Sequence, residues 1–383
     1  MAVTDETRTR PKNRRESILA AAGARFYQRG YAGTSLEDIA GDLGVTAPAL
    51  YRHFRNKDEL YTAALEINLR HIETCIAEAT TAPEAIAGLA RIAVTYPTMG
   101  LLWNTDRRRR LVDPDGAIEQ RLVSVADDLG ALFDNAPELA RLLARGVLAA
   151  ASSTGFYASG LEPHEQIAHL ERALSAVAAF APIQPLILLD VADETVVSRP
   201  WATRRSALLD AGAVLVVQRG GYQAVSIEEI AMAAGVSPNT VYLHFSGKAD
   251  LFAAVLRRAA SWLMASLQQA SAQATSATEA LRLTIISSLE LSAQHPSWTG
   301  SLADEMTNLP EEQIADVVTA VDEYLAEWLA LCAANAPELP VEAVRVRMRA
   351  GLAVIDDRAL EAADRRVLSS EDSVRLMLEI LTS

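Results

Sequence analysis

Apolar residues recur at helical spacing through most of the chain, and the breaks fall at glycine, proline and small capping residues. The first periodic stretch puts Ile18, Leu19, Ala22 and Phe26 on one face and stops at Gly30, a residue suited to a helix C-cap. A short helix should follow. Ser35-Leu-Glu-Asp38 has the spacing of a capping box, with Asp where Glu is preferred, and Ile39-Ala40 supply a buried face. Gly44 then makes a turn. A third helix starts at Thr46, a good N-cap residue, with Pro48 in the first turn, where the helix needs no amide. Helix, tight glycine turn and second short helix at this spacing form a helix-turn-helix. Longer amphipathic helices are expected at about 58–80, 83–96, 117–134, 138–158 and 163–180.

The same pattern is then written again. Leu208, Leu209, Gly212 and Val216 repeat the first face, which ends at Gly220, and Ser226-Ile-Glu-Glu229 repeats the capping box in its stronger form. Ile230-Ala231, Gly235 and Ser237-Pro238 repeat the buried pair, the turn and the next helix start. Gly44-Val45-Thr46, Tyr51, His53-Phe54, Lys57 and Leu60 each recur 191 positions on, as Gly235-Val236-Ser237, Tyr242, His244-Phe245, Lys248 and Leu251. Of the six histidines, two fall on matched positions, as do two of the three lysines. Asn135-Ala-Pro-Glu-Leu139 recurs as Asn335-Ala-Pro-Glu-Leu339, and Pro97 has a counterpart in Pro296, so the duplication covers each whole half. Pro182, Pro185 and Pro200 mark a linker between the halves. The expected organisation is an all-α chain: a helix-turn-helix at 1–60, a helical body at 61–180, a linker at 181–200, a second helix-turn-helix at 201–251 and a second body at 252–383.

Composition agrees with packed helices: half of the chain is hydrophobic, and aromatic residues are few. Met1–Arg15 is polar and lacks the apolar stretch of a signal peptide. The longest apolar run, Ser175–Leu189, is broken by Pro182, Gln184 and Pro185 and is too short to span a bilayer. A soluble, cytoplasmic protein with no membrane partner is expected. Cys75 and Cys332 read as small buried hydrophobes, since two cysteines give neither a disulfide framework nor a zinc-ligand spacing. No Ser-His-Asp, metal or phosphate-loop constellation stands out, so neither enzyme activity nor a cofactor is expected.

The net charge of −14 argues at first against a nucleic-acid partner, but its distribution argues for one. Residues 1–57 carry ten Lys/Arg against six Asp/Glu, and residues 199–248 carry five against three. Two basic tips on an acidic body can contact phosphates locally while the body's repulsion discourages nonspecific binding.

The motif Gly-Val-Ser/Thr followed by Tyr-x-His-Phe-x-x-Lys-x-x-Leu, present twice, resembles the DNA-binding domain of the TetR family of repressors, and the whole arrangement is similar to tandem regulators of that type in actinobacteria. The resemblance implies two TetR-like repeats, each a helix-turn-helix plus a ligand-binding and dimerisation body, folded as an intramolecular pseudo-dimer. It implies that Glu138–Tyr157 with Pro163–Phe180 packs against Pro340–Arg358 with Ser370–Leu381. The third helices would then lie about one DNA turn apart. A double-stranded operator and a small-molecule effector, lipid or acyl-CoA-like, are the implied partners, with room for further dimerisation of the whole chain.

Candidate DNA contacts are Ser35, Thr46, Tyr51, His53 and Lys57 in the first copy, and Ser226, Ser237, Tyr242, His244 and Lys248 in the second; Thr46, Ser237 and the histidines suit phosphate, and the tyrosines a phosphate or a thymine methyl. Either His could instead be a buried helix cap. Where the first copy has Pro48, Ala49 and Arg52, the second has Asn239, Thr240 and Leu243. These are the candidate base readers, and their different chemistry implies dissimilar half-sites. Arg8, Arg10, Lys12, Arg14 and Arg15 form a basic arm, echoed by Arg204-Arg205, that reads equally as a minor-groove contact or a solvated tail. Tyr96, Met99, Trp103 and Phe156, with Trp262, Trp298, Met306 and Trp328, are candidate effector-pocket residues, against the plainer reading of core. Arg107–Arg110 reads as a solvated face or as a clamp for an anionic effector. Two other functions remain open on the sequence: a helical scaffold built on its helix-turn-helix copies, and a ligand-sequestering protein without specific DNA binding.

Overall fold

The computed structural model describes residues 14–29, 31, 33–100, 116–188, 201–219, 221–295, 309, 311–360 and 366–383. The candidates Trp103, Trp298 and Met306, the run Arg107–Arg110, and Arg8, Arg10 and Lys12 lie outside them.

The first half opens with α1 (Arg14–Arg29), α2 (Leu36–Asp42) and α3 (Ala47–Tyr51), followed by the long α4 (Lys57–Glu78). Ile18, Leu19, Phe26, Ile39, Leu50, Phe54 and Leu60 are buried together, so the predicted apolar faces are the ones that pack. The body continues through α5 (Ala82–Thr95), a 3-10 turn at Pro97–Gly100, α6 (Ala117–Gly130), α7 (Pro137–Ser152) and α8 (Pro163–Ala178). The second half repeats the order with α9 (Arg204–Arg219), α10 (Ile227–Ala233), α11 (Pro238–Tyr242) and α12 (Lys248–Gln273), then α13 (Ala277–Gln294), α14 (Glu311–Asn335), α15 (Val341–Leu360) and α16 (Ser370–Thr382). Both capping boxes form. Ser35 Oγ accepts from the Asp38 amide at 3.0 Å and Ser226 Oγ from that of Glu229 at 3.2 Å, so the shorter Asp serves as well as Glu. Gly44 and Gly235 sit at φ 61° and 69°, the left-handed backbone that the tight turn requires.

The halves meet in a four-helix bundle in which α7 and α8 pack on α15 and α16. One continuous apolar core runs from the first helix-turn-helix through its body and takes in Val346, Ala350, Leu376 and Ile380 of the second half. At Gly146 of α7 an added Cβ would stand 3.3 Å from Val354 of α15, so the missing side chain permits this close approach.

Beyond α8 the chain is strapped to the second half. Strand β1 (Ile187–Leu188) pairs antiparallel with β2 (Arg366–Val367), the sole strand pairing among the described residues. The buried Asp372 carboxylate accepts from the amides of Ile183 and Gln184, each at 3.0 Å, and from Ser369 Oγ at 3.1 Å. Arg375 donates to the Ala181 carbonyl at 3.3 Å and covers the Phe180 ring. Among the described residues, no helix is long and apolar enough to cross a membrane.

Candidate nucleic-acid interface

Each third helix is five residues long, and it is held from beneath by the buried Leu50 or Val241 and by Phe54 or Phe245 just beyond it. Arg15 lies over the Phe54 ring at 5.2 Å and Arg205 over the Phe245 ring at 5.0 Å, so both copies brace the same corner with a cation on an aromatic face. The polar candidates at the helix end face outward. Tyr51 is 51% exposed and Tyr242 58%, far from the burial a core tyrosine would show, and His53 and His244 are exposed beside them. Neither histidine is the buried cap allowed by the sequence.

Thr46 and Ser237 occupy the N-cap positions, yet neither side chain caps its helix. Ser237 Oγ instead pairs with Thr240 Oγ1 at 3.0 Å. Thr240 is buried, which corrects its reading as a base reader: its hydroxyl is spent within the domain. Pro48 and Asn239 are exposed, Ala49 is half-buried, and the matched pair Arg52 and Leu243 stands fully outward, Leu243 at 78% exposure. Ser35 and Ser226 have their hydroxyls engaged in the capping boxes.

Lys57 has a place that the sequence did not disclose. Its Nζ donates to the carbonyls of Tyr31 at 2.7 Å and Thr34 at 2.9 Å, and it lies 4.0 Å above the Tyr31 ring. Lys248 sits 4.4 Å above the ring of Tyr222, the matched tyrosine. Each lysine thereby ties the start of the fourth helix to the segment leading into the second. In the first copy Gly33, Ser35, Asp38, Tyr51, Arg55 and Lys57 surround an open groove of about 640 Å³. Asp38 is held below the usual carboxylate range, chiefly by the Ser35 hydroxyl and amide, with Arg25 and Arg29 adding to the effect. Arg25 also grips Asp42, fixing α1 to the end of α2.

The candidate effector residues scatter. Met99 and Trp328 are fully buried core, whereas Tyr96 is exposed and stacks on His71 at 4.3 Å between ring centres. Trp262 is half-buried against His295 at 5.0 Å. Phe156 closes a 3-10 turn after α7. Some buried polar atoms in the bodies nevertheless have no partner among the described residues: His71 Nδ1 and Tyr157 Oη in the first, Thr284 Oγ1 and Trp328 Nε1 in the second.

The model of the bacterial regulatory proteins of the tetR family matches the chain twice, at residues 18–64 and 208–255, which are the two helix-turn-helix units with the start of the helix beyond each. The transcriptional activator FasR of Mycolicibacterium smegmatis is 41% identical over 63 residues, 16% of this chain and 27% of that protein. The regulator TtgR of Pseudomonas putida is 47% identical over 60 residues, 16% of this chain and 29% of its own length. The chain thus spans less than a third of the length of these relatives. Among solved structures, a TetR-family regulator from Bordetella parapertussis has a TM-score of 0.43 at 16% identity, covering 47% of this chain and 95% of that one. Two helix-turn-helix units, each on its own helical body, define the class. The chain carries the DNA-binding unit of the tetR family twice.

Proposed function

We propose that the chain is a sequence-specific DNA-binding regulator of transcription, a repressor whose operator is released when a small molecule enters a helical body. The observation that carries this reading is the recurrence, on matched frames, of an outward Tyr-x-His end on the third helix, braced by the same cation–ring contacts. Tyr51, Tyr242, His53 and His244, with Thr46 and Ser237, would meet phosphates and set the register. Arg52 reads one half-site, by bidentate contact to guanine or by a phosphate, while Asn239 suits adenine and Leu243 a thymine methyl in the other. Lys57 and Lys248 serve as positioning residues that hold the reading helix on its support.

Release would work through the long helices. In the first half, α4 is continuous from the helix-turn-helix into the body, and its Asn68 is tied to Thr98 in the 3-10 turn, which lies under α1 at Gly23. A ligand that displaced that turn would move the third helix against its groove. The unpartnered buried polar atoms of the bodies are the groups an effector with polar substituents would satisfy. An acyl chain or other lipid-like body suits their largely apolar surroundings.

Footprinting of the DNA beside its own gene, together with the solution mass of the complex, tests the proposal. One chain protecting two dissimilar half-sites is expected. Loss of the footprint to excess nonspecific DNA, or its survival in a Tyr51→Ala/Tyr242→Ala double variant, would overturn it.

A further inference from the structure

We propose that the four-helix bundle selects unlike halves: a first body pairs with a second body and disfavours a copy of itself. The selection lies in a buried polar contact whose residues the duplication has made different. Arg347 of α15 is wholly buried. Its Nη1 donates to the Leu381 carbonyl of its own half at 2.9 Å, and its Nη2 faces His169 Nδ1 of α8, across the bundle, at 3.5 Å. Its Nε has no partner among the described residues. Burial first, and then Arg172, pull its pKa down to about 10, as befits a guanidinium held in the core without a carboxylate.

The matching positions in the other half are apolar. The recurrence of Asn-Ala-Pro-Glu-Leu aligns α7 with α15 at an offset of 200, and Arg141–Leu148 and Val341–Met348 then follow one another residue by residue in burial. Arg347 falls on Val147. The helix starts at Glu162 and Ser369 align α8 with α16 at an offset of 207, and Leu170–Ser175 matches Met377–Thr382 in burial. His169 falls on Leu376. Val147 and Leu376 are both buried members of the first-half core. By the same correspondence, the positions that mirror Arg347 and His169 hold Val147 and Leu376, an apolar pair.

A pair of like halves would be two-fold symmetric and would repeat each contact. Two second bodies would set Arg347 against Leu376 twice, leaving two buried guanidiniums without the acceptor from the facing helix. Two first bodies would set Val147 against His169 twice, with a ring nitrogen facing a methyl group. Unlike pairing matches polar with polar and apolar with apolar, which is how a single buried polar residue can specify a partner. The strap is unlike in the same sense. Asp372 takes two amides of residues 183–184, whereas its counterpart Glu165 is exposed and accepts from the Glu162 amide of its own helix start.

The test uses the full chain carrying a protease site between residues 190 and 198, folded and then cut so that only the noncovalent contacts of bundle and strap join the halves. Cut protein is mixed with an isotopically labelled cut sample and weighed by native mass spectrometry. Unlike pairs, labelled and unlabelled, are expected, with like pairs at least tenfold below their statistical share. In an Arg347→Leu/His169→Leu double variant, which leaves the strap in place, like pairs should rise clearly toward that share. His169→Leu alone, at a half-buried site, should move the distribution the same way if the double variant folds poorly. Wild-type halves that scramble statistically, halves that separate without re-pairing, or variants that keep the wild-type distribution would each overturn the proposal.

Discussion

Asn68 and Thr98 exchange two hydrogen bonds: the Asn68 amide donates to the Thr98 carbonyl at 3.2 Å, and its oxygen accepts from the Thr98 hydroxyl at 3.2 Å. The matched position in the second half is Ala259, buried and apolar, so this latch belongs to the first half alone. Asn68→Ala would leave both Thr98 groups without it, at a cost of about 2 kcal/mol. A melting temperature lowered by several degrees is the expected reading, and an unchanged one would dismiss the latch as an energetic link.

Lys57 and the two arginines near it should behave differently toward salt. Lys57→Met removes a donor to the carbonyls of Tyr31 and Thr34, so amide exchange across residues 31–36 should rise while the salt dependence of DNA binding stays nearly unchanged. Arg52→Ala/Arg55→Ala should reduce the slope of log affinity against log salt by up to about 2, roughly one for each phosphate that an arginine no longer neutralises. A Lys57 variant that changed the slope without loosening the segment would assign that lysine to the DNA instead.

Leu243 should report on one half-site only. Leu243→Ala should weaken binding to the half-site read by the second copy by up to about tenfold, with no change in salt slope, because it removes contact with a thymine methyl and no charge. Replacing thymine by deoxyuridine in that half-site should have the same effect and should not add to the substitution. Additive losses would count against the contact.

Stability should fall in mild acid. Burial holds His71 below its ordinary value of 6.5, with Arg70 adding and Glu16 opposing. Burial does the same for His169, with Arg347 and Arg172 adding and Glu165 opposing. A histidine whose folded pKa is depressed binds its proton more readily unfolded. Its contribution is therefore complete above 6.5 and is lost as the pH falls below it. Denaturant midpoints between pH 8 and pH 5 should show this fall, and His71→Leu and His169→Leu should each flatten it. A midpoint that held steady or rose on acidification would contradict the assignment.

Neither thiol should react in the native state. Burial raises the Cys75 thiol and pushes that of Cys332 up to about 12, so little thiolate is present at neutral pH. A disulfide reagent should find both cysteines only after denaturation, and rapid native labelling of Cys332 would show that α14 opens.

The features legible in the sequence were those written in a few consecutive residues. Ser35 with Asp38 and Ser226 with Glu229 lie three apart, and their capping boxes formed; the φ-positive Gly44 and Gly235 stood where the turns were expected. The bundle was legible through the family resemblance, which implied that Glu138–Tyr157 and Pro163–Phe180 meet Pro340–Arg358 and Ser370–Leu381. What escaped was contact with groups that carry no side-chain signature. Lys57 meets backbone carbonyls, and Asp372 meets the amides of residues nearly two hundred positions away. Periodicity gives a residue's face but not its depth. Trp328 and Met99 therefore proved to be core, Tyr96 proved exposed, and Thr240 was drawn inward by a neighbouring hydroxyl.

Arg52 and Leu243 hold matched positions but are specified by separate codons. In a reader made of two identical chains, each substitution alters both half-sites together, and the old operator is lost in one step. On the proposed reading, a point mutation here would retune one side while the other kept its grip, so protein and operator could drift apart from symmetry by single, individually tolerated changes.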